Sequence, residues 1–224
     1  MVKKLVRFLL TLLVILLVCA IGAGVYGYRV VTGSLAQLDG TVRVSGLADS
    51  VTIERDAAGI PTIRAKSAAD RAFAMGYLHG QDRFFQMDLL RRVAAGELAE
   101  LVGKAAIPTD KEHRLHQFRK RATAMLANAS ELDRKLLDLY AGGVNAGLND
   151  LSAKPIEYYV LGADPKSWTP EDSVLCMFSM YLDLQGKDYK LELARHTAYA
   201  TLPKELADFL TPRGSKEWEA PVDG

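Results

Sequence analysis

The chain has four histidines and two cysteines with which to build a nucleophilic or metal centre. His113 and His116 are three apart and would share one helical face. A zinc site needs further ligands, and the neighbours are instead Lys111, Arg114, Arg119 and Lys120. The run reads as a solvated basic face. His79 and His196 stand alone and read as hydrogen-bonded structural residues. Cys19 lies in an apolar N-terminal stretch and Cys176 in an apolar run, so no disulfide is expected between them. Two cysteines are too few for a Cys-based metal site. Cys176 reads as a small buried hydrophobe. Gly-x-Ser-x-Gly, Ser-x-x-Lys and His-Glu-x-x-His do not occur in the sequence. Gly22-x-Gly24-x-x-Gly27 has the form of a dinucleotide fingerprint, but it ends an export-type segment instead of joining a strand to a helix.

The elements that must carry any site begin with that segment. Lys3, Lys4 and Arg7 precede an uncharged apolar stretch over residues 8–28. About 20 apolar residues can span a bilayer as a helix. A cleaved signal has a shorter core and a small-x-small site, for which Ala20-Ile21-Gly22 and Gly22-Ala23-Gly24 are loose matches. Residues 1–31 are therefore expected to be a signal peptide or a signal anchor. Either places the rest in a periplasmic or other extracytoplasmic space, because the basic residues stay inside. Over the whole chain of 224 residues, 49% are hydrophobic, 25% are charged and the net charge is +1. That composition suits a globular protein and gives no reason to expect nucleic acid.

Residues 32–40 read as a linker and 41–224 as one domain. Thr41-Val42-Arg43-Val44 and Val51-Thr52-Ile53-Glu54-Arg55 alternate like strands. Asp56-Ala57-Ala58-Gly59 then turns the chain into Ile60-Pro61-Thr62-Ile63-Arg64-Ala65, a hairpin pattern. From Ser67, an N-cap, the period becomes helical. One long helix or two reach to Gly103, with Gly96 at the break. Further helices are expected over 109–127, from Ser130 to about Asn149, from Thr169-Pro170-Glu171-Asp172 to about Gln185, and over 189–199. Gly186-Lys187-Asp188 should separate the last two. Asn128-Ala129-Ser130 has glycosylation form, but Ser130 as a helix cap explains it more simply. The fold class is α+β, mostly helical with an N-terminal β-hairpin.

One ordered series of motifs carries a family resemblance. It starts at Gly59-Ile60-Pro61-x-Ile63-x-Ala65 and continues at Gly76-Tyr77-x-His79-x-Gln81-Asp82-Arg83-x-x-Gln86-Met87-Asp88-Leu89-x-Arg91-Arg92. Ala94-x-Gly96-x-Leu98-Ala99-Glu100-x-x-Gly103, Tyr140-x-x-Gly143-Val144-Asn145-Ala146 and Trp168-Thr169-Pro170-Glu171-Asp172 follow. The series resembles the N-terminal, α-subunit part of the penicillin acylase family and covers roughly residues 35–224. Gln81, Asp82, Arg83, Gln86, Arg91 and Arg92 read as a partly buried polar network, since a buried Arg requires partners. They are expected to hold this half against the other half of the enzyme.

The resemblance implies an N-terminal-nucleophile hydrolase of αββα fold, completed by a second chain from the same precursor. In such enzymes self-cleavage exposes an N-terminal Ser on that chain. Its hydroxyl attacks an amide carbonyl, and its own α-amino group, of pKa about 7.7–8.0, acts as base. No catalytic residue is then expected in this chain. Trp218-x-x-Pro221-x-Asp223-Gly224 resembles the stretch before the cleaved spacer or the nucleophile; processing and truncation at Gly224 stay open. The helix from Pro170 matches the one lining the acyl pocket, with pocket positions at Tyr181, Leu184 and Gln185. Phenylacetyl-specific members carry Met, Arg and Phe there, so this sequence departs at all three. Tyr181 and Leu184 could equally be core residues. Glu192 is the nearest match to a structural calcium ligand, its alternative being a salt bridge with Arg195 at i, i+3. No organic cofactor is expected. The competing function is an inactive, membrane-anchored helical scaffold or binding protein descended from that family.

Overall fold

The computed structural model describes residues 2–185 and 188–211. Gly186, Lys187 and the Trp218-to-Gly224 motif lie outside them. The chain divides into two units, residues 1–178 and 179–224.

Helix α1, Val2–Gly33, carries the apolar N-terminal stretch, and nearly all of it is exposed. At 1.5 Å per residue it is long enough to cross a bilayer. Gly33 ends it by accepting from the Ala153 amide at 2.9 Å. Strands β1, Thr52–Arg55, and β2, Pro61–Arg64, form the expected hairpin. Their antiparallel register pairs Thr52 with Arg64 and Arg55 with Pro61. Gly59 closes the turn at φ 78°, which a glycine adopts at no steric cost. Asp56 fastens it by accepting from the Ala58 and Ile60 amides. The strand expected at 41–44 does not form. Among the described residues no backbone–backbone hydrogen bond reaches that segment.

Helices α2, Ala68–Asp82, and α7, Glu131–Asp150, make the centre of the first unit. Each starts on a serine cap: Ser67 accepts from the Asp70 amide and Ser130 from the Asp133 amide. Gly76 and Gly80 of α2 face α7, and Gly143 and Gly147 of α7 face α2. A Cβ on any of the four would overlap a carbonyl oxygen of the opposite helix. The glycines therefore set how closely the two backbones approach. Helix α3, Phe84–Ala95, ends on Gly96 in the left-handed conformation at φ 68°. The expected break at Gly96 is thus present, and a second lies at Arg83.

Residues 109–127 do not form one helix. Helix α5, Ile107–Arg114, and helix α6, Phe118–Ala127, are separated at Gln117, which has φ 53°. Short helices α4, Ala99–Val102, and α8, Ile156–Leu161, were not legible in the periodicity. Phe84, Leu101, Ala141, Val144, Tyr158 and Trp168 form the apolar core. Helix α9, Pro170–Gln185, starts and ends where its sequence signals put it. In the second unit α10, Asp188–Thr201, precedes α11, Lys204–Leu210. Tyr199 donates to Asp208 at 2.6 Å between them.

Candidate functional site

The motif residues of α3 build a buried ionic network. Asp88 is fully buried and accepts from Arg91 Nε at 2.7 Å, Arg92 Nε at 2.9 Å and the Tyr158 hydroxyl at 2.6 Å. Arg91 then spends its remaining donors on Lys166 O, Ser167 O and Asp172. Its guanidinium also lies 4.9 Å from the Trp168 ring, over an aromatic face. Asp172 accepts from the Thr169 amide and hydroxyl, so the same carboxylate closes the first turn of α9. Asn145 grips the Trp168 backbone from both sides, donating to its carbonyl at 2.9 Å and accepting from its amide at 2.7 Å. The contacts of Arg91, Asn145 and Asp172 converge on residues 166–172 and fix where α9 begins.

The charges in this network offset one another. Arg92 also reaches Glu100, which takes Lys166, and Arg119 pairs with Glu97 and Asp172. Burial works against the Arg92 charge, but Asp88 and Glu100 outweigh it and raise its pKa. The Lys166 hydrogen bond and the Arg92 pair lower Glu100 against opposing desolvation. Burial and Asp88 push the Tyr158 hydroxyl far up, so it stays a donor. The partners described above are residues of this chain. Arg83 and Gln86 are exposed and take no part in it, whereas Asp82 pairs with Arg55 of the hairpin at 2.8 Å. Gln81 is buried and donates to the Tyr77 hydroxyl at 3.1 Å.

Three of the four histidines meet neighbouring groups, and His196, expected to be structural, is exposed. His113 Nδ1 lies 2.6 Å from the Val93 carbonyl and donates to it. His116 stacks on Phe118 at 4.9 Å. The solvated-face reading of this pair is therefore corrected: both rings dock on neighbours. His79 Nδ1 meets the Tyr140 hydroxyl at 2.8 Å, as its structural reading required. Burial pushes the Cys176 thiol up to about 12, which suits a packing residue and not a nucleophile.

The positions expected to face an acyl chain lie towards the end of α9. Tyr181 is 50% exposed and Leu184 66% in this chain. Gln185 is exposed beside them. Two residues that the motif comparison missed extend the same helical face, Met177 at 66% and Met180 at 64%. Their spacing with Tyr181 and Leu184 is i, i+3, i+4, i+7, one apolar stripe. The periodicity was the signal available for them. Val174 and Leu175 supply the buried side of the helix. Glu192 is mostly exposed and accepts from Arg195 at 2.7 Å, so the salt bridge forms. Among the described residues no three His, Cys, Asp or Glu side chains converge as a metal site.

A penicillin amidase family model matches residues 50–220. The chain belongs to the penicillin amidase family. It is 38% identical over 167 residues to the acyl-homoserine lactone acylase QuiP of Pseudomonas aeruginosa, covering 72% of this chain and 20% of that protein. It is 37% identical over 158 residues to the penicillin acylase 2 proenzyme of a Pseudomonas species, covering 70% and 20%. The chain thus spans about a fifth of the length of these relatives. Among solved structures it is similar to a thermostable penicillin G acylase from Alcaligenes faecalis, with a TM-score of 0.62 and 25% identity. That match covers 78% of this chain and 96% of the acylase chain.

Proposed function

We propose that this chain is the α-subunit half of an exported amidohydrolase that cleaves the amide bond of N-acyl compounds. The observation that carries the reading is the exposed stripe of Met177, Met180, Tyr181 and Leu184 on α9 of a penicillin amidase family chain. Apolar side chains spaced for one face and left in water call for a cover. In this reading they form one wall of the acyl pocket, and the second chain supplies the rest. Tyr181, Leu184 and Gln185 then bear on which acyl chain fits.

The chemistry belongs to the second chain. Its N-terminal Ser hydroxyl adds to the amide carbonyl while the free α-amino group takes the hydroxyl proton. Backbone amides and an Asn side chain hold the oxyanion. The C–N bond breaks, the amine leaves with a proton, and water hydrolyses the acyl ester to a carboxylic acid. Penicillins, acyl-homoserine lactones and acyl-peptides all present such a bond. The names of the relatives above, one of them a proenzyme, support a precursor that is cut into two chains.

Calcium fits this chain only in part. The ion takes six to eight oxygens, and Glu192 offers one exposed carboxylate already shared with Arg195. In this proposal Glu192 is a single ligand and the second chain provides the others. Chelation should then lower the melting temperature of the assembled pair, and Glu192→Gln should remove that response. Helix α1 serves as a signal peptide or an inner-membrane anchor and directs the assembly to the periplasm.

The test is co-expression with the second chain, followed by assays of acid release from N-acyl substrates of several acyl lengths. Turnover by the cleaved pair is expected. A correctly cleaved pair that releases no acid from any of them refutes the amidase and favours an inactive, membrane-anchored scaffold.

A further inference from the structure

The far end of α1 is joined directly to the folded part of the first unit. Val30 is buried, the one buried residue in the described part of that helix. Gly33 accepts from the Ala153 amide at 2.9 Å and packs so closely that a Cβ on it would lie 3.1 Å from the Ala153 Cβ. The helix itself reaches this contact, without an intervening loop. Whatever holds α1 therefore also holds the segment around Ala153.

The length of α1 sets the height of that join. The uncharged stretch ends at Tyr28, and Gly33 lies about 7.5 Å further along the axis at 1.5 Å per residue. Tyr26, Tyr28 and Arg29 suit a membrane–water interface, where amphipathic aromatic rings and basic side chains sit. A headgroup layer is about 5–7.5 Å deep, half the difference between a core of about 30 Å and a bilayer of about 40–45 Å. With α1 across a membrane, Ala153 stands at the outer edge of the headgroups, and any tilt of α1 brings it lower.

Helix α8 starts just past Ala153, and its first residue, Ile156, lines a small cavity together with Ser34 and Leu35. The helix is anchored inward by Tyr158, which is fully buried. Ile156, Tyr159 and Val160, at i, i+3 and i+4, are left exposed, Val160 at 81%. The Lys154 ammonium lies 4.9 Å from the Tyr159 ring and also donates to Ala163 O and to Asp164, which braces the ring. An exposed aliphatic face with an aromatic ring has the character of a segment that lies in a membrane interface. Tethering by α1 lets even a weak contact of this kind persist.

We propose that α8 is a membrane-docking surface: Ile156, Tyr159 and Val160 seat in the headgroup layer of the leaflet from which α1 emerges. The partner is the phospholipid surface itself. This rests on the reading of α1 as a retained anchor, and not on the amidase chemistry. Two contacts, α1 and α8, then hold the enzyme in one orientation on the membrane.

Photocrosslinking tests it on the cleaved, assembled pair with α1 intact, reconstituted in vesicles of radiolabelled phosphatidylethanolamine and phosphatidylglycerol. Val160→p-benzoylphenylalanine should capture phospholipid. In a chain carrying Tyr159→p-benzoylphenylalanine, adding Val160→Asp should lower lipid capture by about tenfold, the loss of one buried aliphatic side chain. Val160→Leu should keep it, and turnover should be unchanged in both. Capture of the second chain by residue 160, or of nothing, overturns the docking surface. Lipid capture indifferent to Val160→Asp also overturns it, as nearness without docking. A mature chain that begins beyond the apolar stretch removes the anchor and this proposal together and leaves the amidase standing. Lipid capture that responds to Val160→Asp in a pair without turnover supports the docking surface and sinks the amidase.

Discussion

Asp88 is cut off from water and has three donors aimed at it, two of them cationic. Removing its charge leaves Arg91 and Arg92 buried with less compensation than their desolvation demands. Breaking a buried pair of this kind costs about 3–5 kcal/mol. Asp88→Asn is therefore expected to destabilise the assembled protein by about that amount, read from denaturant midpoints, whereas Tyr158→Phe loses one hydrogen bond and about 1–3 kcal/mol. His79 carries a pH dependence. Its ring meets Tyr140 edge-on at 5.8 Å, and partial desolvation of this otherwise exposed residue lowers its pKa, with Asp82 partly opposing. The unfolded chain then takes up the proton first. The contribution of His79 is full above pH 6.5 and is lost as pH falls through the lower folded value. His79→Gln should flatten thermal stability between pH 7 and 5, and an unchanged slope would contradict this assignment. The sequence implied that these polar residues were partly buried, because Arg91 and Arg92 stand among Phe84, Phe85 and Met87. It could not name Tyr158 or Asp172 as partners, since these lie about 70 and 80 positions away and only the fold brings them near.

At the level of elements, the decisive contact is that of α2 with α7. Gly142 and Gly143 are neighbours in sequence with opposite roles. A Cβ at Gly142 would meet the Phe73 ring at 3.7 Å, an ordinary contact, whereas one at Gly143 would overlap the Phe73 carbonyl oxygen. Gly142→Ala should stabilise by up to about 1 kcal/mol through helix propensity. Gly143→Ala should destabilise by about 1–3 kcal/mol or more, because α7 must move off α2. Equal melting temperatures for the two variants would refute the close approach. Caps and breaks were the legible part of the helices: Ser67, Ser130, Gly96 and Pro170 act as local chemistry requires. The four-residue spacing of glycines on both helices was equally present in the sequence, but a glycine pair shows its purpose only against its partner helix. Residues 41–44 failed as a strand because alternation needs a ladder, and none is offered by the described residues. Residues 109–127 failed as one helix because periodicity continues across Gln117 while the backbone there turns left-handed.

For the whole molecule, the sequence carried the family and the class of fold, since a long ordered series of motifs survives where any single one would not. It left Tyr181 and Leu184 open between pocket and core, and both are exposed in this chain. It gave Met177 and Met180 no special standing, because no motif marks them; the exposed stripe became visible only when α9 was seen with Val174 and Leu175 turned inward. The buried ionic network fixes the start of this helix, and the helix carries the proposed pocket wall. The most direct measurement is the ratio of kcat/KM for long and short N-acyl substrates in the cleaved, assembled pair, compared among wild type, Tyr181→Ala and Leu184→Ala. Changes of pocket volume by a few methylenes shift such ratios by about tenfold or more. The account predicts a shift of that size in favour of the longer acyl chain for both variants, with assembly intact. An unchanged ratio in a fully assembled, active enzyme would contradict it.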